Sequence, residues 1–261
     1  GQKGGIWGPG ALPTDGTSVF PITGNTSFGG NTWEGGEAVV RLGKGATFSG
    51  KTADYYAPTN WKNLDDADQD LGGASEVIFD LAGASKPHLI AVGGKDANMY
   101  VLNRDDLGGV GTTKGTELLK MGVGTGQVKG APAVYTTSQG TYVAFHIESG
   151  TGASCPNGKQ GNIVAVKVTE SASGTVAGSI AWCSAASGLG SPMVTTSDGT
   201  SNPIVWAASN ALYAFDGDTG ATIVDGTKTA MASGVQGWNV PIAAKGRIAV
   251  GISGQLYLFA P

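Results

Sequence analysis

Residues 210–220 read NALYAFDGDTG. Ala211, Tyr213 and Phe215 alternate with Leu212 and Ala214 in a run that is apolar on both faces, as a strand buried between two layers requires. Asp216 to Gly220 end it. An Asp side chain bonds the backbone two residues on and Gly accepts positive φ, so this segment predicts a tight turn into a further strand. Four other stretches share the alternation: AVVRLGKGATFSG (38–50), NMYVLNRDDLGG (98–109), NIVAVKVTESASG (162–174) and QLYLFAP (255–261), the first three closing on a polar, Gly-containing bend. Aligning the five copies makes Val40, Tyr100, Val164, Tyr213 and Tyr257 equivalent, with separations of 60, 64, 49 and 44 residues. Propeller blades repeat every ~40 to 50 residues, plus insertions.

Each copy has an upstream partner strand, in SVFPITGN, HLIAVGGK, TYVAFHIE, PIVWAASN and RIAVGISG, and before most of these lies another apolar piece, as in GAPAVYTT, GSPMVTTS and NVPIAAKG. Units of three to four strands that cannot bury both faces alone predict radially stacked sheets. The expected fold is therefore all-β: a β-propeller with four-stranded antiparallel blades, about five of them, at approximately 1–71, 72–127, 128–187, 188–235 and 236–261. Composition agrees. With 45 Gly, 11 Pro, 14% charged and 40% hydrophobic residues in 261, the chain suits many short strands joined by turns better than helices or disorder. A net charge of −4 without a basic run interleaved with aromatics argues against a nucleic-acid surface. No apolar run reaches the roughly 18 residues needed to span a bilayer. Cys155 and Cys183 are too few for a zinc site, which leaves one disulfide or two free thiols; a disulfide implies a periplasmic or extracellular home.

GGIWGPGALPTDGTSVFPITGN, DYYAPTNWKNLDDADQDLGG and GGKDANMYVLNRDDLGG follow one another, and the repeat reads ALYAFDGDTGATIV. In these features the chain resembles the quinoprotein-like (PQQ-repeat) β-propeller family, secreted members in particular, over nearly its whole length. Family propellers commonly have seven or eight blades, so the resemblance implies that about five C-terminal blades are represented here. An open arc leaves two unpaired strand edges. Either five blades close on themselves, or an N-terminal portion is missing or supplied by a second chain.

For the quinoprotein alcohol dehydrogenases of that family, the resemblance implies a Trp beneath the quinone, a calcium-liganding Asn, a catalytic Asp and a basic residue near the quinone oxygens. Trp7 in GGIWG and Lys95 in GGKDANMY match the cofactor-binding roles, and Asn25 in ITGN the metal role. DDADQD (65–70) departs from the family's catalytic stretch and leaves Asp66, Asp68 and Asp70 as candidates, Asp66 and Asp68 for catalysis and Asp70 beside Asn25 for the metal. PQQ and Ca²⁺ would be the cofactors, the ion polarising a quinone carbonyl while a carboxylate takes the alcohol proton. The family's adjacent-cysteine disulfide and calcium-binding Glu would lie in blades not represented. Simpler roles stand beside these: Trp7 packing between blades, Asn25 and Lys95 in turns, and DDADQD as an exposed acidic loop. DDADQD could also hold calcium alone, although Leu71 and Val77 stand where an EF-hand has Gly and Glu.

GATFSGKT (45–52) matches the phosphate-loop pattern, but the following ADYYAP is too short and Pro-broken for the helix that chemistry needs. Asn25, Thr26 and Ser27 form a glycosylation sequon. His88 and His146 lack companions at metal spacing, and neither a G-x-S-x-G elbow nor a dinucleotide fingerprint is present. Trp238 in QGWNVP precedes an inner strand and is a candidate for the central funnel. The expected function is a secreted or periplasmic, non-catalytic ligand-binding or scaffold module taking a small molecule, glycan or protein at the funnel or loop face. The alternative is a quinoprotein alcohol dehydrogenase.

Overall fold

The computed structural model describes residues 4–26 and 30–260. Each alternating stretch is a strand, as its β-branched, aromatic and small apolar residues favour. β1 (Ile22–Thr23), β2 (Ala38–Val40) and β3 (Tyr55–Ala57) pair antiparallel as a first sheet, lengthened by bridges from Thr14 to Val19 and from Val19 to Leu42. A short helix, α1 (Trp61–Asp66), leads to β4 (Glu76–Asp80), β5 (His88–Gly93) and β6 (Asn98–Asn103) of the second sheet. β7 (Gly109–Val110) leaves that sheet to pair with β3, and β8 (Leu119–Gly122) completes it. The third sheet holds β9 (Ala133–Thr137), β10 (Gly140–His146), β11 (Ile163–Glu170) and β12 (Val176–Ser184). The fourth holds β13 (Pro192–Thr195), β14 (Ile204–Ala208), β15 (Ala211–Asp216) and β16 (Thr222–Ala230). β17 (Ile242–Ala244), β18 (Arg247–Ile252) and β19 (Gln255–Phe259) form the fifth, through two-residue turns at Lys245–Gly246 and Ser253–Gly254. All four turn residues have positive φ, the conformation that matches strand twist in such hairpins.

The architecture is a five-sheet arc of a β-propeller, with two departures from uniform four-stranded antiparallel blades. β7 pairs with β3 in parallel: Gly108 and Gly109, at φ +86° and +76°, swing the chain back after the Leu107 amide has bonded to the Ala53 carbonyl. The fifth sheet has three strands among the described residues.

Strand parity explains the double-sided hydrophobicity. On β5, Leu89 and Ala91 pack towards the third sheet while Ile90 and Val92 pack towards the first; on β10, Val143 and Phe145 face the second sheet while Tyr142 and Ala144 face the fourth. The fourth sheet repeats this, with Val205, Ala207 and Phe215 on one side and Trp206, Ala208, Leu212 and Ala214 on the other, the latter under Ile248 and Val250 of the fifth. The second, third and fourth sheets are thus each part of the core of both neighbours, and each buried Val, Leu or Ile contributes about 1.5–3 kcal/mol.

The sheets fan about an axis rather than stacking in a column, because loops entering non-adjacent sheets meet. Ser191, before the fourth sheet, accepts the Ala131 amide of the third with Oγ at 2.7 Å and donates the same hydroxyl to the Gly237 carbonyl before the fifth. A Cβ on Gly237 would stand 3.4 Å from the Lys129 carbonyl oxygen. Cys155 and Cys183 form a disulfide, Cα atoms 5.6 Å apart, that ties the β10–β11 loop to the end of β12.

The turn after β15 locks two sheets together. Asp216 Oδ1 accepts the Thr219 amide at 2.8 Å and its hydroxyl at 2.7 Å, and Gly220 turns at φ +70°. The turn thereby presents the Gly217 carbonyl to the third sheet, where Trp182 Nε1 donates to it at 2.7 Å and the Tyr135 hydroxyl at 2.6 Å. A Cβ on Gly220 would come within 2.7 Å of the Trp182 ring, so glycine is needed there twice over. Trp182→Ala should lower unfolding stability in urea by about 3–5 kcal/mol, and Trp182→Phe, which leaves Tyr135 to satisfy Gly217, by about 1–2 kcal/mol. Equal losses in the two variants would contradict this division.

Candidate functional site

A cavity of about 380 Å³ opens at the end of the sheets where the β5–β6 turn lies, lined by Trp7, Pro9, Asp68, Asp70, Gly73, Lys95, Lys129 and Trp238. Its walls come from segments serving the first, second, third and fifth sheets, which makes it the funnel of the fan. A larger groove of about 840 Å³ lies at the opposite ends of the strands, between turns at 81–85, 136–141 and 167–172. Its lining carries no aromatic ring and only Lys167 and Glu170 as charged groups, so the funnel holds the richer chemistry.

Trp7 is seated by glycine. A Cβ on Gly5 or Gly24 would reach within 2.3 Å of the indole, so only bare backbone lets the ring lie there. The ring remains 52% exposed, and Trp238 across the funnel 62%. Neither indole is consumed by packing between sheets.

Lys95 sits in the β5–β6 turn, its amide bonded to the Asp70 carbonyl at 3.1 Å and its methylenes lying over Gly73, where a Cβ would be 3.0 Å away. Its ammonium pairs with the Asp70 carboxylate and reaches Asp68 Oδ2 at 3.3 Å and the Asp68 carbonyl at 3.2 Å. Burial works against the charge on Lys95, but the Asp70 and Asp68 carboxylates outweigh it and hold its pKa above the ordinary lysine value. With its side chain only 16% exposed, Lys95 is an ion-paired wall of the funnel rather than a solvated turn residue.

Behind this wall lies a second polar layer. Asp70 Oδ1, Glu37 Oε1 and Asn25 Oδ1 are buried without a hydrogen-bond partner among the described residues. Glu37 Oε2 accepts the Leu71 amide at 2.6 Å; burial pushes this carboxyl up to about 8, the Leu71 N–H and the Lys95 charge opposing the rise and Asp70 and Asp65 adding to it. Asn25 donates Nδ2 to the Asp65 carbonyl at 3.0 Å, and Asp65 Oδ1 accepts the Thr26 amide at 2.9 Å.

The structure therefore brings Trp7, Lys95, Asp68, Asp70 and Trp238 together and leaves two sequence candidates outside. Asn25 is buried against α1 and does not line the funnel. Asp66 ends α1, where it pairs with Lys62 at 2.8 Å. Of the alternate carboxylates of DDADQD, Asp68 and Asp70 meet on the Lys95 ammonium, while Asp66, the last residue of α1, is turned away to Lys62. Sequence reasoning missed Lys129, which pairs with Glu148 at 3.1 Å, and Glu37, a lone acid opening an apolar strand.

Among the described residues no three His, Cys, Asp or Glu are placed to hold a metal ion. His146 bonds the Leu189 carbonyl through Nδ1 at 2.9 Å and Asn162 through Nε2 at 2.8 Å, and burial lowers its pKa, so it is a neutral strand residue. His88 pairs with Asp105 at 2.9 Å. In the phosphate-loop match, Thr52–Asp54 is a single 3₁₀ turn and not the start of an α-helix. Ser27 of the sequon lies outside the described residues, and Asn25 is 5% exposed. No helix among the described residues is long and apolar enough to cross a membrane.

No family model matches the chain, and no curated protein does. Among solved structures it is similar to BamB from Moraxella catarrhalis, at 15% identity and TM-score 0.36, covering 94% of this chain and 67% of that one. It is similar to the quinohemoprotein alcohol dehydrogenase ADHIIG from Pseudomonas putida HK5, at 14% identity and TM-score 0.46, covering 92% and 43%. It is also similar to the β-propeller domain of Cps50 (Swd1) from Myceliophteria thermophila, at 10% identity and TM-score 0.43, covering 95% and 68%. The chain thus spans about two thirds of two of these proteins and under half of the third.

Glu76, opening β4, is 5% exposed with Oε2 unpartnered, and burial pushes its carboxyl up to about 8 from 4.5. A folded-state pKa above the unfolded one contributes stability that is full below pH 4.5 and lost as pH rises through 8. Glu76→Gln removes that titration. In urea melts, the variant should gain on the wild type by on the order of 3 kcal/mol from acid to mildly alkaline pH, then run parallel; parallel profiles throughout would contradict it.

Proposed function

We propose that the chain is a non-catalytic ligand-binding β-propeller module, secreted or periplasmic, whose funnel takes a small molecule combining a flat ring with an acidic group. One observation carries this reading: two exposed indoles, Trp7 and Trp238, share a cavity with two ammonium groups, Lys95 and Lys129. Indole faces stack on flat rings, and an ammonium shielded from bulk water attracts a carboxylate strongly. The volume of about 380 Å³ falls in the range of small-molecule sites. Lys95 is met by two carboxylates, Asp70 and Asp68, and Lys129 by one, Glu148, so the less buried Lys129 is the better placed to meet an incoming anion. The disulfide supports an oxidising compartment.

Trp7, Lys95 and Asp70 meeting in one cavity favours a second reading, a PQQ- and Ca²⁺-dependent alcohol dehydrogenase. Calcium takes about six to eight oxygen ligands. Asn25 Oδ1 and Asp70 Oδ1 are oxygens without partners, yet Asn25 does not line the cavity, Lys95 engages the other Asp70 oxygen, and no three acids converge among the described residues. The residues present do not fit the ion, and the binding reading stands first.

Titrating tryptophan fluorescence with flat aromatic carboxylates, PQQ among them, should give saturable quenching that is indifferent to Ca²⁺, with no dye reduction by alcohols. Trp238→Ala and Lys129→Ala should each weaken binding about tenfold. Unchanged binding in both variants would remove the funnel from the account, and Ca²⁺-dependent dye reduction would establish the dehydrogenase instead.

A further inference from the structure

The β10–β11 loop is folded onto the segment that carries Lys129. Residues 123–128 lead from β8 to Lys129 as a strap, with that loop along one side of it and the β5–β6 turn along the other. On the loop side, Gly124 bridges Gly152 and Gln127 bridges Glu148. The Glu148 amide donates to the Gln127 carbonyl at 2.7 Å, the Thr125 amide to the Thr151 carbonyl at 2.8 Å, and the Ala153 amide to the Val123 carbonyl at 3.1 Å. On the other side, the Val123 amide donates to the Ala97 carbonyl at 2.9 Å and the Val128 amide to the Gly94 carbonyl at 3.2 Å, in the turn that carries Lys95. Glu148 then meets the Lys129 ammonium at 3.1 Å.

Glycine lets strap and loop touch backbone to backbone. A Cβ on Gly126 would stand 2.2 Å from the Glu148 carbonyl oxygen, and one on Gly150 2.4 Å from the Gly126 nitrogen. The disulfide closes the arrangement from behind. A Cβ on Gly152 would meet the Cys155 and Cys183 sulfurs at 2.5 and 2.6 Å, so the bond lies directly on the loop residue that bridges the strap. None of residues 148–156 is buried, whereas Cys183, 2% exposed at the end of β12, belongs to the core between the second and third sheets. A loop with so few apolar contacts opens locally at low free energy unless something ties it down. We propose that the Cys155–Cys183 bond positions the Lys129 wall of the funnel, by clamping the β10–β11 loop against the strap from which Lys129 emerges. The inference rests on the funnel being the binding site. Lys95 has its own ties in Asp70 and Asp68, so Lys129 is the ammonium whose placement the clamp decides. An ammonium already held in place loses less conformational entropy when an anion binds it.

Hydrogen exchange of the whole chain without ligand tests the clamp by itself. In Cys155→Ser/Cys183→Ser, the Val123, Thr125, Val128 and Glu148 amides should exchange at least about tenfold faster while the β14 and β15 amides keep their rates. Gly126→Ala, which keeps the disulfide but wedges strap and loop apart, should do the same. Unchanged strap amides in either variant would overturn the proposal. So would an equal acceleration in β14 and β15, which would make the bond a staple of the whole fold. PQQ binding, followed by tryptophan fluorescence, reads the consequence at the funnel. The double Ser variant should bind about fivefold more weakly than the wild type, and this loss should fall below about twofold when both carry Lys129→Ala. A loss of the same size with and without Lys129 would overturn the positioning role. A wild type that ignores PQQ would count against the funnel as the binding site, and the exchange rates would then uphold or overturn the clamp alone.

Discussion

The Trp182 indole, lying against a turn of the next sheet and donating to its Gly217 carbonyl, shows in one contact the constraint on which the whole molecule depends. From β5 to β15 each sheet is covered on both of its faces. Leu89 and Ile90 point to different neighbours, so a sheet removed from the stack would expose apolar surface twice over. In the same way Val205 faces the third sheet while Trp206, next in the chain, faces the fifth. Specificity of the stacking comes from the polar locks at the sheet ends, where Asp216, Gly217 and Gly220 shape one turn to receive an indole and a phenol.

That constraint also explains why the arc was legible in the chain. Alternating strands that are apolar on both parities leave few solutions other than sheets packed on both faces, and the Asp–Gly bends mark where each strand ends. β7 was not legible, because a two-residue pairing set by Gly108 and Gly109 leaves no periodic trace. At the funnel, Trp7, Lys95 and Asp70 could be picked out only through the resemblance to the quinoprotein-like family, and Trp238 because it precedes an inner strand. Asp66 stands apart because it ends α1 and pairs with Lys62, whereas Asp68 and Asp70, beyond the helix, reach Lys95. Lys129 and Glu37 carry no local pattern; only the folding of distant segments onto one axis brings them to the site.

The funnel follows from the same geometry. Fanning the sheets brings loops from the first, second, third and fifth together, and a cavity with four-sided walls can combine groups that no single sheet carries. Stability is conceded around it: Glu37 and Glu76 are buried acids, and three oxygens behind Lys95 lack partners. Polar groups left unsatisfied in this way oppose folding, and the inter-sheet packing around them offsets that cost.

Native-state hydrogen exchange tests the mutual dependence of the sheets most directly. If each sheet is the core of its neighbours, the amides of β10, β11, β14 and β15 share one opening free energy and one dependence on denaturant, as a single cooperative unit. Amides of the fourth sheet exchanging through an opening of their own, while those of the third stay protected, would contradict the account.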